Sequence, residues 1–305
     1  MNQNAVLNEA KHFVLSCLTI FSPVMNNKIQ YLIKFKKRLN LKNPSTLNEK
    51  IIWLKFNRYI KDPLVIQCAD KFAVREYVKN NGCADILNEL IGVYDNAEDI
   101  PWDELPEQFA LKWNFGAKMN IICTCKSKMN KNAVIKQMKK WGRSKQWLWS
   151  SEMQYKYAPK RIICEKLLVS EKSNLAENWV APEDYKVYCF SGVPTFIMVC
   201  VGREIEENPK FYFFDRNWNL ARISKDSKEA PKDFSLEKPA CFEKLMDCAS
   251  KLTKPFPFVR ADFYVINNQV YFGELTFTPA AGLDSKMLPE TDILMGNLVD
   301  LNYKA

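Results

Sequence analysis

The sequence predicts an α/β protein of the α+β kind, with helices toward the N-terminal end, a small basic subdomain in the middle and an antiparallel sheet toward the C-terminal end. Three observations carry that expectation. A capping box, Thr46 with Glu49, opens a segment containing Ile51, Ile52 and Leu54. From Gln108 to Ser151 there is no Asp or Glu but there are ten Lys and Arg, which sets this stretch apart from its surroundings. Two alternating apolar segments, Phe258–Ile266 and Val270–Phe277, flank Asn267-Asn268-Gln269 and read as a β-hairpin.

The elements follow in order. Residues up to about Phe56 read as helices. The apolar run Phe13 to Val24, about 12 residues with Ser and Thr inside it, is shorter than the roughly 20 residues that cross a bilayer and lacks the flanks of a signal peptide. It reads as a buried helix, with an amphipathic helix lying on a membrane surface as the alternative. Asp62-Pro63 starts a further helix, and Asp70 caps another that runs through Lys71, Phe72, Arg75 and Tyr77 to Asn81-Gly82. Ile91–Tyr94 is extended, and after an acidic loop Gln108–Lys112 forms a strand that enters the basic segment, where helical periodicity covers Lys131–Trp141. Strands are expected at Arg161–Leu168, Tyr185–Phe190, Thr195–Val201 and Phe211–Phe214.

Composition narrows the chemistry. The nine glycines are nowhere closer than nine positions, which excludes the glycine-rich fingerprints of Rossmann and P-loop nucleotide sites. A single histidine, His12, leaves no histidine metal cluster and argues against a Ser-His-Asp triad. The ten cysteines are scattered without C-x-x-C spacing, and read as reduced core residues of a cytoplasmic protein. The chain carries +9, so the basic segment outweighs the whole net charge, and its positive field would concentrate a polyanion such as a nucleotide phosphate. A solvated lysine face is the plain alternative. Trp141, Trp147 and Trp149 would permit stacking of a single strand, but no nucleic-acid motif accompanies them and no nucleic-acid partner is expected.

The hairpin holds the sharpest chemical pattern. A three-residue loop sets Asp262 opposite Glu274 and Arg260 opposite Thr276 on one face, whereas a two-residue loop shifts the register and parts the carboxylates. Two facing acids on otherwise apolar strands repel unless a cation lies between them, and a divalent ion such as Mg2+ is the simplest candidate. A solvent-facing hairpin edge is the alternative.

Taken together, Leu47–Leu54, Asp70–Tyr77, Phe109–Asn114, Arg161–Lys166, Asp184–Phe190, Phe258–Phe263 and Phe272–Pro279 resemble, in order, the ATP-grasp ligase superfamily, and within it the TupA-like branch associated with teichuronopeptide and surface-polysaccharide biosynthesis. The resemblance implies an ATP-grasp fold with a helical region over 1–60, an N-terminal α/β subdomain over 61–108, the lid over 109–168 and a C-terminal sheet subdomain with the metal site over 169–305, and ATP and Mg2+ as cofactors. It matches Lys71 and Lys112 to the two lysines that touch the ATP phosphates, Glu165 and the backbone from Lys166 to Leu168 to the adenine hinge, and Asp184 to the ribose ligand, with Lys186 nearby. It matches Asp262, Glu274 and Thr276 to the metal ligands and Arg260, with Lys112, to the catalytic positions. Lys118-Met119 stands where the family usually has glycines, which either weakens the backbone grip on phosphate or is offset by the charge of Lys118 in place of amide contacts.

The function so implied is ATP-dependent carboxylate–amine ligation through an acyl phosphate, joining a uronic acid of a polysaccharide or its precursor to an amino acid or amino sugar, in the cytoplasm or at the inner face of the membrane. The rivals are a glycosyltransferase of capsule or O-antigen assembly, against which stands the absence of a D-x-D motif, and a non-catalytic nucleotide-binding protein.

Overall fold

The computed structural model describes residues 3–170, 173, 179–202 and 209–304. Helices α1 (Gln3–Phe21), α2 (Pro23–Phe35), α3 (Leu47–Asn57), α4 (Pro63–Ala69) and α5 (Val74–Asn80) come first. Strands β1 (Leu90–Tyr94), β2 (Phe109–Trp113) and β3 (Asn120–Cys123) lead into α6 (Lys131–Gly142), α7 (Trp147–Ser150) and α8 (Gln154–Tyr157). Then come β4 (Ile162–Lys166), β5 (Glu183–Phe190), β6 (Val193–Val201), β7 (Lys210–Phe214), β8 (Leu220–Ala221), α9 (Lys225–Glu229), α10 (Phe242–Thr253), β9 (Phe258–Ile266), β10 (Gln269–Thr276) and α11 (Pro289–Leu298).

Among the described residues two antiparallel sheets form, a small one ordered β1-β4-β2-β3 and a larger one ordered β10-β9-β5-β6-β7-β8. Because β1 pairs with β4, the small sheet draws strands from both sides of residue 108. Strand alternation decides which face of the large sheet does chemistry. On β9, Val259, Ala261 and Phe263 are buried in one core with Leu245, Ala249 and Leu252 of the amphipathic helix α10, so Arg260 and Asp262 must face the other way. A second core under the small sheet joins Phe109, Leu111 and Trp113 to Val134 and Met138 of α6.

The helix signals act as expected. Thr46 and Glu49 form the capping box of α3, and Asp62 caps α4 with Pro63 in its first turn. Asp70 accepts hydrogen bonds from Phe72 N at 2.7 Å and Ala73 N at 3.1 Å, although α5 itself begins only at Val74.

The first helix departs from expectation. The run Phe13 to Val24 is not buried: Phe13, Ile20 and Phe21 are 71%, 73% and 85% exposed, while the polar Thr19 points inward. The reason lies in α7, whose last carbonyls lack helical partners. Thr19 Oγ1 donates to Leu148 O at 2.5 Å, Asn26 Nδ2 to Trp149 O at 3.1 Å and Gln30 Nε2 to Trp149 O at 2.9 Å. The polar side of the helix pair supplies these donors, and the apolar side is left outside. His12 stacks on Trp149 at 3.6 Å between centroids, which occupies a tryptophan face considered above for nucleic-acid stacking.

Candidate functional site

The hairpin reconciles the two registers the sequence left open. The turn is the two-residue kind, with Asn267 and Asn268 both at positive φ (50° and 56°), as a turn matching the strand twist requires. From Gln269 to Phe272 the pairing follows that short turn, Phe272 opposite Phe263. A bulge at Gly273 then shifts the register by one, so that Glu274 lies opposite Asp262 and Thr276 opposite Arg260. A Cβ on residue 273 would meet the Asp262 carbonyl oxygen at 2.8 Å, so glycine is what lets the strands approach there.

Strand β5 completes two rungs across the sheet. Lys186, Asp262 and Glu274 form one, and Tyr188, Arg260 and Thr276 the next. Arg260 donates to Asp262 through both Nε and Nη2 at 2.7 Å, and Lys186 Nζ lies 2.9 Å from the same carboxylate and 2.7 Å from Asp184. Thr276 Oγ1 donates to Glu274 Oε1 at 3.2 Å and accepts from Arg260 Nη2 at 3.3 Å, which orients both. Burial opposes ionisation of Asp262, but the Arg260 guanidinium and the Lys186 ammonium outweigh it and hold the carboxyl below the ordinary carboxylate range.

Across a cleft of about 660 Å³ stand side chains from the small sheet and the N-terminal region. Lys112 Nζ on β2 lies 2.7 Å from Glu165 Oε2 on β4, and Arg75 Nη1 lies 3.0 Å from Glu165 Oε1. Lys71 Nζ donates to Gly116 O at 2.9 Å and stands 3.8 Å from Glu274. The loop after β2 is pinned by the buried Asn114, which donates to Asp70 Oδ2 and Pro159 O at 2.7 Å each and accepts from Arg161 N at 2.8 Å. Within that loop Lys118 sits in the left-handed region at φ 60°, a conformation that glycine adopts at less cost.

Lys71, Lys112, Lys118, Glu165, Asp184, Lys186, Arg260, Asp262, Glu274 and Thr276 therefore all line one cleft. Lys166 does not: its side chain turns outward toward Glu89, and its backbone N–H and C=O are engaged by Glu89 O and Asn88 Nδ2. Leu168 is not in the lining either, and its carbonyl accepts from Trp179 Nε1 at 3.0 Å. Of the ten basic residues of the Gln108–Ser151 segment, Lys112 and Lys118 reach the cleft, whereas Lys126 and Lys139 bind Leu105 O and Glu98 elsewhere.

Sequence reasoning missed Arg75, Glu152 and Lys55. Lys71 and Arg75 are four apart, but the partner that gives Arg75 its place, Glu165, is ninety positions on. Thr278 Oγ1 donates to Glu152 Oε1 at 2.5 Å, and burial pushes this carboxyl above its ordinary range. Behind the cleft the buried Lys55 donates to Asn27 Oδ1, Ser150 O and Ala281 O at 2.8, 3.0 and 2.8 Å, and burial lowers it to about 8. Ala280 and Ala281, the loop it holds, are both left-handed, at φ 48° and 58°.

The donor chemistry fits a hard divalent cation. Asp262 and Glu274 offer oxygen on adjacent strands, and magnesium needs only one or two carboxylates besides phosphate oxygens and water. An ionised carboxylate presents about four lone-pair sites; Arg260 and Lys186 take three on Asp262, and Glu274 keeps an oxygen toward the cleft.

The model of the TupA-like ATP-grasp family matches residues 49–300. The chain belongs to this family. Its fold is accordingly the α/β ATP-grasp fold, with the small sheet and the large sheet facing each other across the cleft. No curated protein matches it. Among solved structures it is similar to the D-alanine–D-alanine ligase of Bacillus anthracis complexed with ATP (15% identity, TM-score 0.44, covering 76% of this chain and 61% of that one). It is similar also to the ATP-grasp ligase PsnB complexed with a minimal precursor (10% identity, TM-score 0.41, 78% and 62%). A third is the N5-carboxyaminoimidazole synthetase of Staphylococcus aureus complexed with ADP (12% identity, TM-score 0.38, 69% and 44%). The chain thus spans about three fifths of the length of the first of these ligases.

Proposed function

We propose that this protein is an ATP- and Mg2+-dependent carboxylate–amine ligase that attaches an amino acid or amino sugar to a uronic acid of a surface polysaccharide or its precursor. The observation that supports it is the meeting of two opposed charge sets in one cleft: Lys71, Lys112 and Arg75 on one wall, and the Lys186–Asp262–Glu274 and Arg260–Thr276 rungs on the other. The membership in the ATP-grasp family supports ATP use, and the identity of the uronic acid and the amine rests on the branch the sequence resembles.

Lys71 and Lys112 would hold the triphosphate from two sides by charge-assisted hydrogen bonds, each releasing its present partner, Gly116 O or Glu165. Asp262 and Glu274, the latter oriented by Thr276, would hold Mg2+, which when bound neutralises phosphate charge. The substrate carboxylate oxygen attacks the γ-phosphorus and the bond to the ADP oxygen breaks. The amine nitrogen then attacks the acyl carbon, phosphate leaves, and the nitrogen loses its proton as the amide forms. Arg260 is fixed by its two-pronged grip on Asp262, with one guanidinium edge against Thr276, and stabilises negative charge that grows on the reacting oxygens.

The test is ADP release by the purified protein with uronic acids and amino acids supplied in pairs. Activity that disappears in Asp262→Asn and Glu274→Gln, with each variant still folded at the assay temperature by circular dichroism, supports the reading. ADP formation unchanged in both variants removes these carboxylates from the site, and nucleotide binding without ADP release from any pair favours the non-catalytic alternative.

A further inference from the structure

The outward face of α1 and α2 is out of keeping with a surface bathed only by water. Phe13, Val14, Ile20 and Phe21 on α1 and Leu32 and Ile33 on α2 are large, apolar and exposed. On α1 these side chains, with Cys17 between them, fall within an arc of about 120°, a continuous stripe along one side of the helix. The helix cannot turn this stripe inward, because its opposite side is committed: Thr19 bonds Leu148 O and Ser151, and His12 lies flat on Trp149. Burying the stripe would break those contacts and strand the end of α7. None of the contacts among the described residues covers it, and a patch of this kind marks an interaction surface.

Charge says what this surface meets. Between Ala10 and Asn48 there are seven basic residues and no acid, a second stretch of this kind beside the one that enters the cleft. Five of the seven follow Ile33 closely: Lys34, Lys36, Lys37, Arg38 and Lys42, of which the first four are exposed at the end of α2 and in the turn after it. A second copy of this chain would bring that positive charge against itself, and a nucleic acid would have no use for the apolar stripe. We propose that α1 and α2 form a docking face for an anionic lipid bilayer. The apolar stripe enters the interface between headgroups and acyl chains, and the lysines at the end of α2 meet acidic headgroups. The helices lie on the membrane and do not cross it: among the described residues no helix is long and apolar enough to do so. This proposal does not depend on the ligase reading, since none of its residues lines the cleft.

The experiment is flotation of the full chain with vesicles of phosphatidylcholine alone and of phosphatidylcholine mixed with phosphatidylglycerol, over a range of salt. The wild type should float with the mixed vesicles, less so as salt rises, and poorly with the neutral ones. The combined variant Phe13→Ser, Ile20→Ser, Phe21→Ser should lose at least about a hundredfold in vesicle affinity, as should Lys34→Glu, Lys37→Glu, Arg38→Glu. Both sets replace exposed side chains, so the melting temperature should stay near that of the wild type and certify the fold. Three results would overturn the proposal: no flotation of the wild type with acidic vesicles, undiminished flotation of the serine variant, or self-association of the wild type that the serine variant abolishes while vesicles recover neither protein.

Discussion

Replacing Gly273 by alanine tests how the fold builds its site. The change adds one carbon to a strand whose backbone at that position is not left-handed, so conformational preference is not the obstacle. The obstacle is contact: the new Cβ would stand 2.8 Å from the Asp262 carbonyl oxygen and 3.3 Å from its carbonyl carbon, and neither backbone atom can swing aside as a side chain could. Either β9 and β10 spread locally or the bulge is lost and the hairpin keeps the register of its two-residue turn throughout. Overpacking of this kind costs about 1–3 kcal/mol, and for a chain of this size about 1 kcal/mol lowers the melting temperature by about 2 °C. The larger effect should fall on the site, because loss of the bulge takes Glu274 off the Asp262 rung. Differential scanning calorimetry and ATP titration with magnesium read the two effects separately. Gly82→Ala is the comparator: it meets no atom within 4 Å, has a left-handed φ of 71°, and should lose about 1 kcal/mol while leaving nucleotide binding intact. If Gly273→Ala keeps both the wild-type melting temperature and wild-type nucleotide binding, the bulge does not position the carboxylates as argued.

Other outcomes follow from the same geometry. Lys118→Gly should relieve about 1 kcal/mol of left-handed strain and raise the melting temperature; if the charge of Lys118 grips phosphate, ATP affinity should nonetheless fall about tenfold, and an unchanged or tighter affinity would assign the loop's role to its backbone. Lys55→Met leaves the oxygens of Asn27, Ser150 and Ala281 without their donor and should destabilise by about 1–3 kcal/mol at neutral pH. Because burial lowers Lys55 to about 8, below its unfolded value, the unfolded chain binds the extra proton between these two values, and the wild type should gain on the variant as pH rises through that window. A constant difference in melting temperature from pH 8 to 10 would contradict that protonation behaviour. Asp262 follows the same sign at the acid end: held low by Arg260 and Lys186, it stabilises the fold above the unfolded aspartate value near 3.9, and that contribution is lost as pH falls below it, an acid-side loss absent from Asp262→Asn.

Much of this was legible in the chain because local chemistry fixes it. Thr46, Glu49 and Asp62 announce helix starts through their own side chains, and the alternation on β9 assigns Arg260 and Asp262 to a face before any partner is known. What was not legible depends on partners distant in sequence. A glycine within a strand marks a possible bulge, but only the backbone of Asp262 shows that Gly273 carries one, reconciling a short turn with facing carboxylates. Hydrophobicity marked Phe13–Val24 as helical but showed neither the break at Ser22, which caps α2, nor the orientation of the pair, since the demand for donors comes from carbonyls at 148–150, more than a hundred positions away. Lys166 was matched by motif, whereas its outward direction follows from the pleat of β4, on which Glu165 takes the cleft side.

The most direct measurement is calorimetric titration of ATP into the purified protein, first with Mg2+ and then with EDTA, repeated on Asp262→Asn and Lys112→Ala. The account predicts binding in the micromolar range that needs magnesium, loses the gain from magnesium with Asp262→Asn, and weakens about tenfold or more with Lys112→Ala. Binding of equal strength in EDTA and in both variants, or none up to millimolar ATP, would contradict it.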